Sequence, residues 1–328
     1  MRGPRSEILW DRPQAMLEGI VRYVEKIVIG KRESIEHVLV AILCGGHVLL
    51  EDVPGVGKTL MAKTIARTLG CEFGRVQCTP DLLPSDVTGV SIYRKALETF
   101  EFRPGPIMAN IVLADELNRT PPKTQSALLE AMEERHVTVD GESYRLPEPF
   151  VVLATQNPHG FEGAYPLPEA QLDRFLMKIG LGYPTPEEEE SLLSRADAAA
   201  PEPRALLTID ELRELQRQAS ATLADSSIKQ YVVRLVHATR RASELSLGAS
   251  PRASMALLRA AQAQALLRGR GFVVPDDVKA LAVPVLAHRL AVRPEAAYAG
   301  ATAEQVLRRI LKETPVPAAT SSYGGIAR

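Results

Sequence analysis

Short apolar runs punctuate the first half of the chain and break off in glycine, polar or acidic residues: HVLL at 47–50, FGRVQC at 73–78, IVLADE at 111–116, FVVLATQ at 150–156 and LMKIGLG at 176–182. Runs this short and this apolar read as strands buried on both faces. Between them, near 58–69 and 122–134, apolar residues recur at helical spacing. The alternation predicts an α/β fold, a parallel sheet covered by helices. From about 185 onward the pattern changes. Helical spacings follow one another at 186–197, 208–222, 227–245, 251–269, 275–290 and 302–313, and strands disappear. The chain therefore divides into an α/β core over 1–182, an all-helical second domain over 183–315 and a disordered tail, VPAATSSYGGIAR, over 316–328. YPTPEEEE at 183–190 is the hinge, its acidic run a solvated first helical turn that complements the helix dipole.

Two stretches depart from this scheme. VSIYRKALETFEFRPGPIM (90–108) holds two short alternating runs around a central turn, and HVTVDGESYRL (136–146) alternates on either side of Asp140-Gly141. Both read as β-hairpins, the second on the strongest short hairpin dipeptide.

The chemistry starts at EDVPGVGKT, residues 51–59. The phosphate-loop pattern G-x-x-x-x-G-K-[ST] is met at Gly57, Lys58 and Thr59, while its first glycine is replaced by Asp52. Gly55 and Gly57 let successive backbone N–H groups converge on phosphate oxygens, and the loop from Pro54 through Val56 to Leu60 forms the cradle. Lys58 reaches the outer phosphates, Thr59 offers its hydroxyl to Mg²⁺, and the helix that starts at Lys58 adds its positive end. ATP is the expected ligand. The carboxylate of Asp52 repels a triphosphate unless it faces away or pairs with a cation. A glycine turn joining strand to helix without a ligand is the plain alternative.

IVLADE weighs against that alternative. It describes a buried strand whose carboxylates emerge at its C-terminal end, beside the loop of an open parallel sheet. Asp115 is placed to hold Mg²⁺ through water, and Glu116 to orient and polarise the attacking water. FVVLATQNP brings Asn157 to the same edge, within reach of the γ-phosphate or the water. PLPEAQLDRF puts Arg174 just before another strand, and SPRASMALLRAAQA puts Arg252 at the start of a helix in the second domain. A guanidinium on the transferring phosphoryl group contributes about 10³ to 10⁵ in rate, although a surface arginine is more commonly a salt-bridge partner. Arg174 lies beyond a further loop and is better placed to reach a neighbour's nucleotide than its own.

Composition narrows the choice. With 328 residues, 45% hydrophobic and 24% charged, the chain can bury cores for two domains. A formal charge of −1 provides no overall basic field, so nucleic acid is not the default partner. Cys44, Cys71 and Cys78 are odd in number and lack metal-like spacing, which suggests free thiols in a reducing compartment. No window approaches the ~18 apolar residues of a membrane span, and a cytoplasmic location is expected. The histidines show no i, i+4 pairing and no nucleophile elbow is visible. Phosphoryl transfer to water is the chemistry the chain is equipped for.

Taken together, EDVPGVGKT, IVLADELNRTPPKTQSALLEAMEE, VVLATQNPHGFEGAYPLPEAQLDRF and SPRA closely resemble the MoxR family of AAA+ ATPases, over about residues 12 to 315. The resemblance implies an αβα P-loop nucleotide domain followed by a helical lid, assembled as a homo-oligomeric ring, commonly of six. It implies Walker A at Gly57, Lys58 and Thr59, Walker B at Asp115 and Glu116, sensor 1 at Asn157, a trans-acting arginine finger at Arg174, and sensor 2 at Arg252, by which the lid touches nucleotide. Val28, Ile29 and Gly30 resemble the stretch that packs against the adenine, and the 90–108 hairpin resembles the insert that faces the ring's pore. The function implied is ATP-driven, chaperone-like remodelling, maturation or metal insertion of a separate partner protein, often one with a von Willebrand factor A domain. A magnesium-chelatase-like or nucleic-acid-remodelling motor is the alternative within enzymes; an ATP-gated scaffold with little hydrolysis is the alternative outside them.

Overall fold

The computed structural model describes residues 13–53, 55–157, 165–194 and 202–317. Most of the tail, Pro54 and the stretch 158–164 lie outside the described residues. Nine strands occupy the described part of the first 182 residues: β1 (His47–Glu51), β2 (Phe73–Gln77), β3 (Gly89–Arg94), β4 (Thr99–Pro104), β5 (Ile111–Asp115), β6 (His136–Val139), β7 (Glu142–Arg145), β8 (Val151–Gln156) and β9 (Phe175–Ile179). Five of them form one parallel sheet in the order β2-β5-β8-β1-β9. The runs of β1, β5, β8 and β9 are nearly uninterrupted because both faces of the sheet are covered there, whereas the edge strand β2 alternates, with Arg75 and Gln77 exposed. Val48, Leu50, Ile111, Leu113, Val151 and Leu153 point into one core, whereas Leu49, Val112, Ala114, Val152 and Ala154 point into another.

The helices around the sheet are α1 (Pro13–Glu25), α2 (Arg32–Leu43), α3 (Lys58–Thr68), α4 (Pro84–Thr88), α5 (Pro122–Glu134) and α6 (Glu169–Leu172). Beyond them come α7 (Pro186–Leu193), α8 (Ile209–Ala221), α9 (Ser226–Arg241), α10 (Pro251–Leu267), α11 (Pro275–Leu286), α12 (Pro294–Tyr298) and α13 (Ala303–Glu313). The second part is helical, as the spacing predicts, with one addition: β10 (Leu245–Leu247) and β11 (Ala291–Val292) pair as a small antiparallel ribbon. Sequence patterning assigned no element to 13–46. There α1 and α2 pack between the sheet and the lid, touching α3 and β9 on one side and α8 and α10 on the other. Their apolar side chains, including Leu17, Ile20, Val38 and Leu39, belong to the same core as Leu257 and Leu281 of the lid. The core thus runs without interruption across residue 183.

Both anticipated hairpins are present, β3 with β4 and β6 with β7, the latter turning at Asp140-Gly141 with φ of 52° and 84°. They also pack together. The Phe102 ring stacks on Tyr144 with centroids 3.8 Å apart and planes within 16°.

The hinge segment is tied down at both ends. Lys31 donates to the carbonyls of Gly182 and Tyr183, and Ser34 to that of Gly180. Thr185 then caps α7 in a reciprocal arrangement with Glu188, so the acidic run opens a helix as its composition requires.

Candidate active site

In this strand order, β1, β8 and β5 are neighbours and parallel, so their C-terminal ends open on one edge of the sheet, where the chain's direction of winding reverses around β1. Everything that leaves those three ends converges. The loop after β1 turns through Gly55 (φ 86°) and Gly57 (φ 92°), left-handed conformations that suit glycine. A Cβ built on either meets nothing within 4 Å, so it is the backbone path and not crowding that requires glycine. From Lys58 the chain continues as α3, which aims its N-terminus into the loop.

The Lys58 ammonium donates to the backbone oxygens of Asp52 (2.7 Å) and Val53 (3.2 Å). Partial burial lowers its pKa from the ordinary lysine value, opposed by the carboxylates of Asp52, Asp115 and Glu116. The conflict raised by Asp52 is resolved by direction. Its Oδ2 accepts the N–H groups of Leu181 and Gly182, each at 2.6 Å, and its Oδ1 accepts Val53 N–H at 2.8 Å. The carboxylate therefore caps backbone amides at the end of β9.

At the end of β5, Asp115 and Glu116 share one organiser. Thr155, buried on β8, donates its hydroxyl to Asp115 Oδ1 (2.7 Å) and accepts the Glu116 N–H (2.8 Å). Asp115 Oδ2 pairs with Arg75 at 2.8 Å and Glu116 with Arg119 at 2.7 Å. Glu116 itself sits in the left-handed region, φ 58° and ψ 47°, uncommon for a residue of its size, and ends the extended path of β5 there. Thr155 is a residue that sequence reasoning missed, and its place one strand over, one step before the polar end of FVVLATQ, was the available signal.

Gly55, Gly57, Lys58, Thr59, Leu60, Asp115, Glu116 and Asn157 all line one cavity of about 340 Å³, together with Thr155 and Gln156. The structure thus brings together the loop, the two acids and the asparagine predicted from sequence. The donor set of Thr59 hydroxyl and Asp115 carboxylate is hard oxygen and fits Mg²⁺, which takes one or two protein oxygens and completes its shell with phosphate and water. Val28, Ile29 and Gly30 do not line this cavity. Val28 is buried in the main core, and Gly30 lies beneath Glu188, whose carboxyl carbon is 2.0 Å from where a Cβ would stand. Val56 packs against the same core.

The two arginines lie elsewhere, together. Because β9 runs parallel to β1 with Phe175 opposite His47, Arg174 sits at the N-terminal end of the sheet, a strand length (~16 Å for five residues) from the phosphate loop. There it donates to Leu129 O at 2.6 Å and pairs with Glu133 Oε2 at 3.0 Å. Arg252 pairs with the other oxygen of the same carboxylate, Oε1, also at 3.0 Å. The expectation that Arg252 brings the lid to the nucleotide does not hold for the nucleotide of its own chain, since the lid's α10 starts at the opposite end of the sheet. Arg174 and Arg252 share a second cavity, about 300 Å³, with Glu133, Asp173, Arg259 and Arg289. Arg289, buried, pairs with Asp173 at 2.5 Å; burial lowers its pKa from the ordinary arginine value, offset by that carboxylate.

Comparisons with known proteins find an ATPase part and a lid part in this chain. The family model for the ATPase family associated with various cellular activities (AAA) matches residues 47–177, and that for the AAA lid domain matches residues 237–310. The chain is 52% identical over 311 residues to the uncharacterized protein YeaC of Bacillus subtilis, covering 94% of this chain and 97% of that one. It is 46% identical over 310 residues to Chaperone MoxR1 of Mycobacterium tuberculosis, covering 92% and 82%. A crystal structure from Cytophaga hutchinsonii superposes with a TM-score of 0.88 at 39% identity, over 93% of this chain and 96% of that one. A phosphate loop with its lysine, an acid pair on the adjoining strand end and a helical lid, in a chain this similar to named relatives over nearly its whole length, mean that it belongs to the MoxR family of AAA+ ATPases and hydrolyses ATP.

Proposed function

We propose that the chain hydrolyses ATP at the boundary between two copies of itself in a ring, and uses the resulting motion to remodel a separate protein. The observation that carries this reading is the distance between the two cavities: Lys58, Thr59, Asp115 and Glu116 line one end of the sheet, whereas Arg174 and Arg252 line the other. A head-to-tail contact that sets the arginine cavity of one subunit against the phosphate cavity of the next forms a ring when its rotation closes, and six copies is the number the family resemblance suggests.

Within that boundary each residue has a task. Gly55 and Gly57 turn amides toward the phosphates, and Lys58 exchanges its bonds to Asp52 O and Val53 O for the outer phosphate oxygens. Thr59 and Asp115 hold Mg²⁺, which when bound offsets the charge of the β- and γ-phosphates. Glu116 accepts a proton from the attacking water while Asn157 fixes that water or the γ-phosphate. Arg174 and Arg252 of the neighbour neutralise the charge of the departing phosphoryl group.

The work done on the client follows from the family likeness and the chaperone name of a relative 46% identical to this chain. We place the client as a separate protein with a von Willebrand factor A domain, matured or loaded with metal, and met by the two packed hairpins. The decisive experiment mixes two inactive variants. Arg174→Ala chains keep a complete phosphate cavity, and Glu116→Gln chains keep complete arginines, so mixed assemblies contain competent boundaries. Turnover that returns on mixing supports the shared site; turnover that stays absent, with both chains co-assembled, excludes it.

A further inference from the structure

We infer that Glu133 is a positioning residue for ATP hydrolysis, one that holds Arg174 and Arg252 as a single unit for delivery to the adjacent subunit. The inference rests on the shared-boundary reading above. Its basis is that each oxygen of one carboxylate is used by a different arginine, Oε2 by Arg174 and Oε1 by Arg252, both at 3.0 Å. The two guanidiniums arrive from different parts of the molecule, one from the turn before β9 and one from the first turn of α10 in the lid. Nothing in the backbone obliges them to meet.

Three considerations separate this role from plain stability. First, Glu133 lies in the last turn of α5, where the helix dipole disfavours a carboxylate and where no basic residue of the helix compensates it. Local helix energetics would not choose glutamate there. Second, the pairs are partly exposed, with Glu133 37% accessible and Arg252 54%, and ion pairs of that kind contribute little to folding. Third, Arg259 and Arg289 line the same cavity. Asp173 in that cavity is already paired with Arg289, so the field stays positive; two further guanidiniums repel each other there, and the Glu133 carboxylate between them lets both point the same way. Leu129 O, one turn earlier on α5, holds a second edge of Arg174 at 2.6 Å, so the finger is fixed from one helix on two sides.

A glutamine in place of Glu133 keeps the shape but offers one acceptor oxygen, and its amide N–H₂ faces the other guanidinium. One arginine is released. Misplacing a charge-neutralising group by about 1 Å costs about 10²-fold in rate. Glu133→Gln is therefore expected to lower kcat by about that factor with nucleotide affinity within about twofold of the parent, and Glu133→Asp, which keeps the charge, to recover part of the loss. Mixed with Glu116→Gln chains, Glu133→Gln chains should regain turnover, because the arginines of the Glu116→Gln partner are intact. The Arg174→Ala mixture with Glu116→Gln serves as reference. Recovery in the reference but not in the Glu133 mixture overturns the positioning role and leaves the shared boundary standing; recovery in neither overturns both. Wild-type turnover by Glu133→Gln overturns the positioning role directly. Should the glutamine chain lose its cooperative thermal transition, Glu133→Asp is read in the same mixtures with the same consequences.

Discussion

Lys58 is held at 2.7 Å by the backbone oxygen of Asp52, whose side chain faces the other way and takes the N–H groups of Leu181 and Gly182. One residue thereby joins the phosphate loop to the segment that leads into the lid. If the Asp52 charge acted mainly on the phosphates, its removal would raise ATP affinity. The geometry predicts otherwise. Asp52→Ala leaves three amides, those of Leu181, Gly182 and Val53, without their acceptor, at a cost of at least about 1 kcal/mol given that water reaches part of the site, and it loosens the loop. Thermal unfolding should shift downward and the Kd for ATP should stay level or rise. A Kd that falls tenfold with unchanged stability would mean that the carboxylate faces the nucleotide after all.

Thr155 provides the sharpest test of the acid pair. Its hydroxyl touches both Asp115 and the Glu116 backbone. Thr155→Val is close in volume but leaves the Glu116 N–H without an acceptor and Asp115 with one donor fewer. Loss of a group that orients a metal-binding carboxylate costs about 10- to 100-fold in activity, and turnover should fall by that factor. Thr155→Ser, which restores the hydroxyl, should return it. Steady-state turnover of the three proteins at saturating Mg-ATP decides the matter; valine and serine variants of equal activity would remove Thr155 from the site.

The parts of this site legible in the sequence are those written contiguously. EDVPGVGKT, IVLADE and FVVLATQN each run a buried strand into its polar end, and parallel pairing of three such strands necessarily collects the ends. The parallel sheet and the turn at Asp140-Gly141 were legible for the same reason, because period and turn chemistry are local. What the sequence could not reveal is pairing between distant segments. Nothing in LLEAMEE distinguishes Glu133 from its acidic neighbours Glu130 and Glu134 until Arg174 and Arg252 are seen on it. Likewise α2 is buried on more than one side, from Val38 to Leu43 without a break, because it lies between sheet and lid, which blurs the one-faced periodicity that marks a surface helix; α1 keeps that periodicity in Leu17, Ile20, Val21 and Val24. The start of α10 was legible in SPRA, where Ser250 caps the helix and Pro251 takes its first turn; which end of the sheet that start faces follows from how α10 packs on α2, α8 and α11, which four residues cannot announce.

Two buried imidazoles give the fold a predictable sensitivity to acid. His47 Nδ1 accepts Val152 N–H at 2.9 Å and its Nε2 lies 3.1 Å from Met132 O, so the neutral form with the proton on Nε2 satisfies both nitrogens. Burial, aided by Arg135, pushes its pKa down to about 3, and burial with Arg289 nearby pushes His288 down to about 3 as well. Both values lie below the ordinary histidine value of about 6.5. Between roughly pH 6.5 and 3 the unfolded chain binds protons that the folded chain refuses, so stability falls as pH falls. Each histidine contributes about 1.4 kcal/mol per pH unit well inside that window. His37, lowered by burial in the same direction, adds to the effect. Urea midpoints measured at pH 7.5, 6 and 5 should decline progressively; a flat profile would mean that these rings accept protons without unfolding.

The hairpin of β3 and β4 ends in side chains that the fold does not use. Leu97 is 68% exposed and Phe100 71%, and Phe100 has Tyr93 directly across the ribbon, ring centroids 5.3 Å apart. Substituting Leu97 with serine removes no packed surface, so stability should change by less than about 0.5 kcal/mol, while Phe100→Ser loses one cross-strand aromatic pair, about 0.2 to 1 kcal/mol. If these side chains grip the client, the consequence appears in capture and not in folding. In a Glu116→Gln background, proteins retained from the native lysate in the presence of ATP should fall several-fold when Leu97 and Phe100 are both serine, with the thermal midpoint nearly unchanged. Retention of the same proteins in the same amounts would assign the apolar tip a different task and direct attention to the β6–β7 ribbon, which Phe102 and Tyr144 hold beside it.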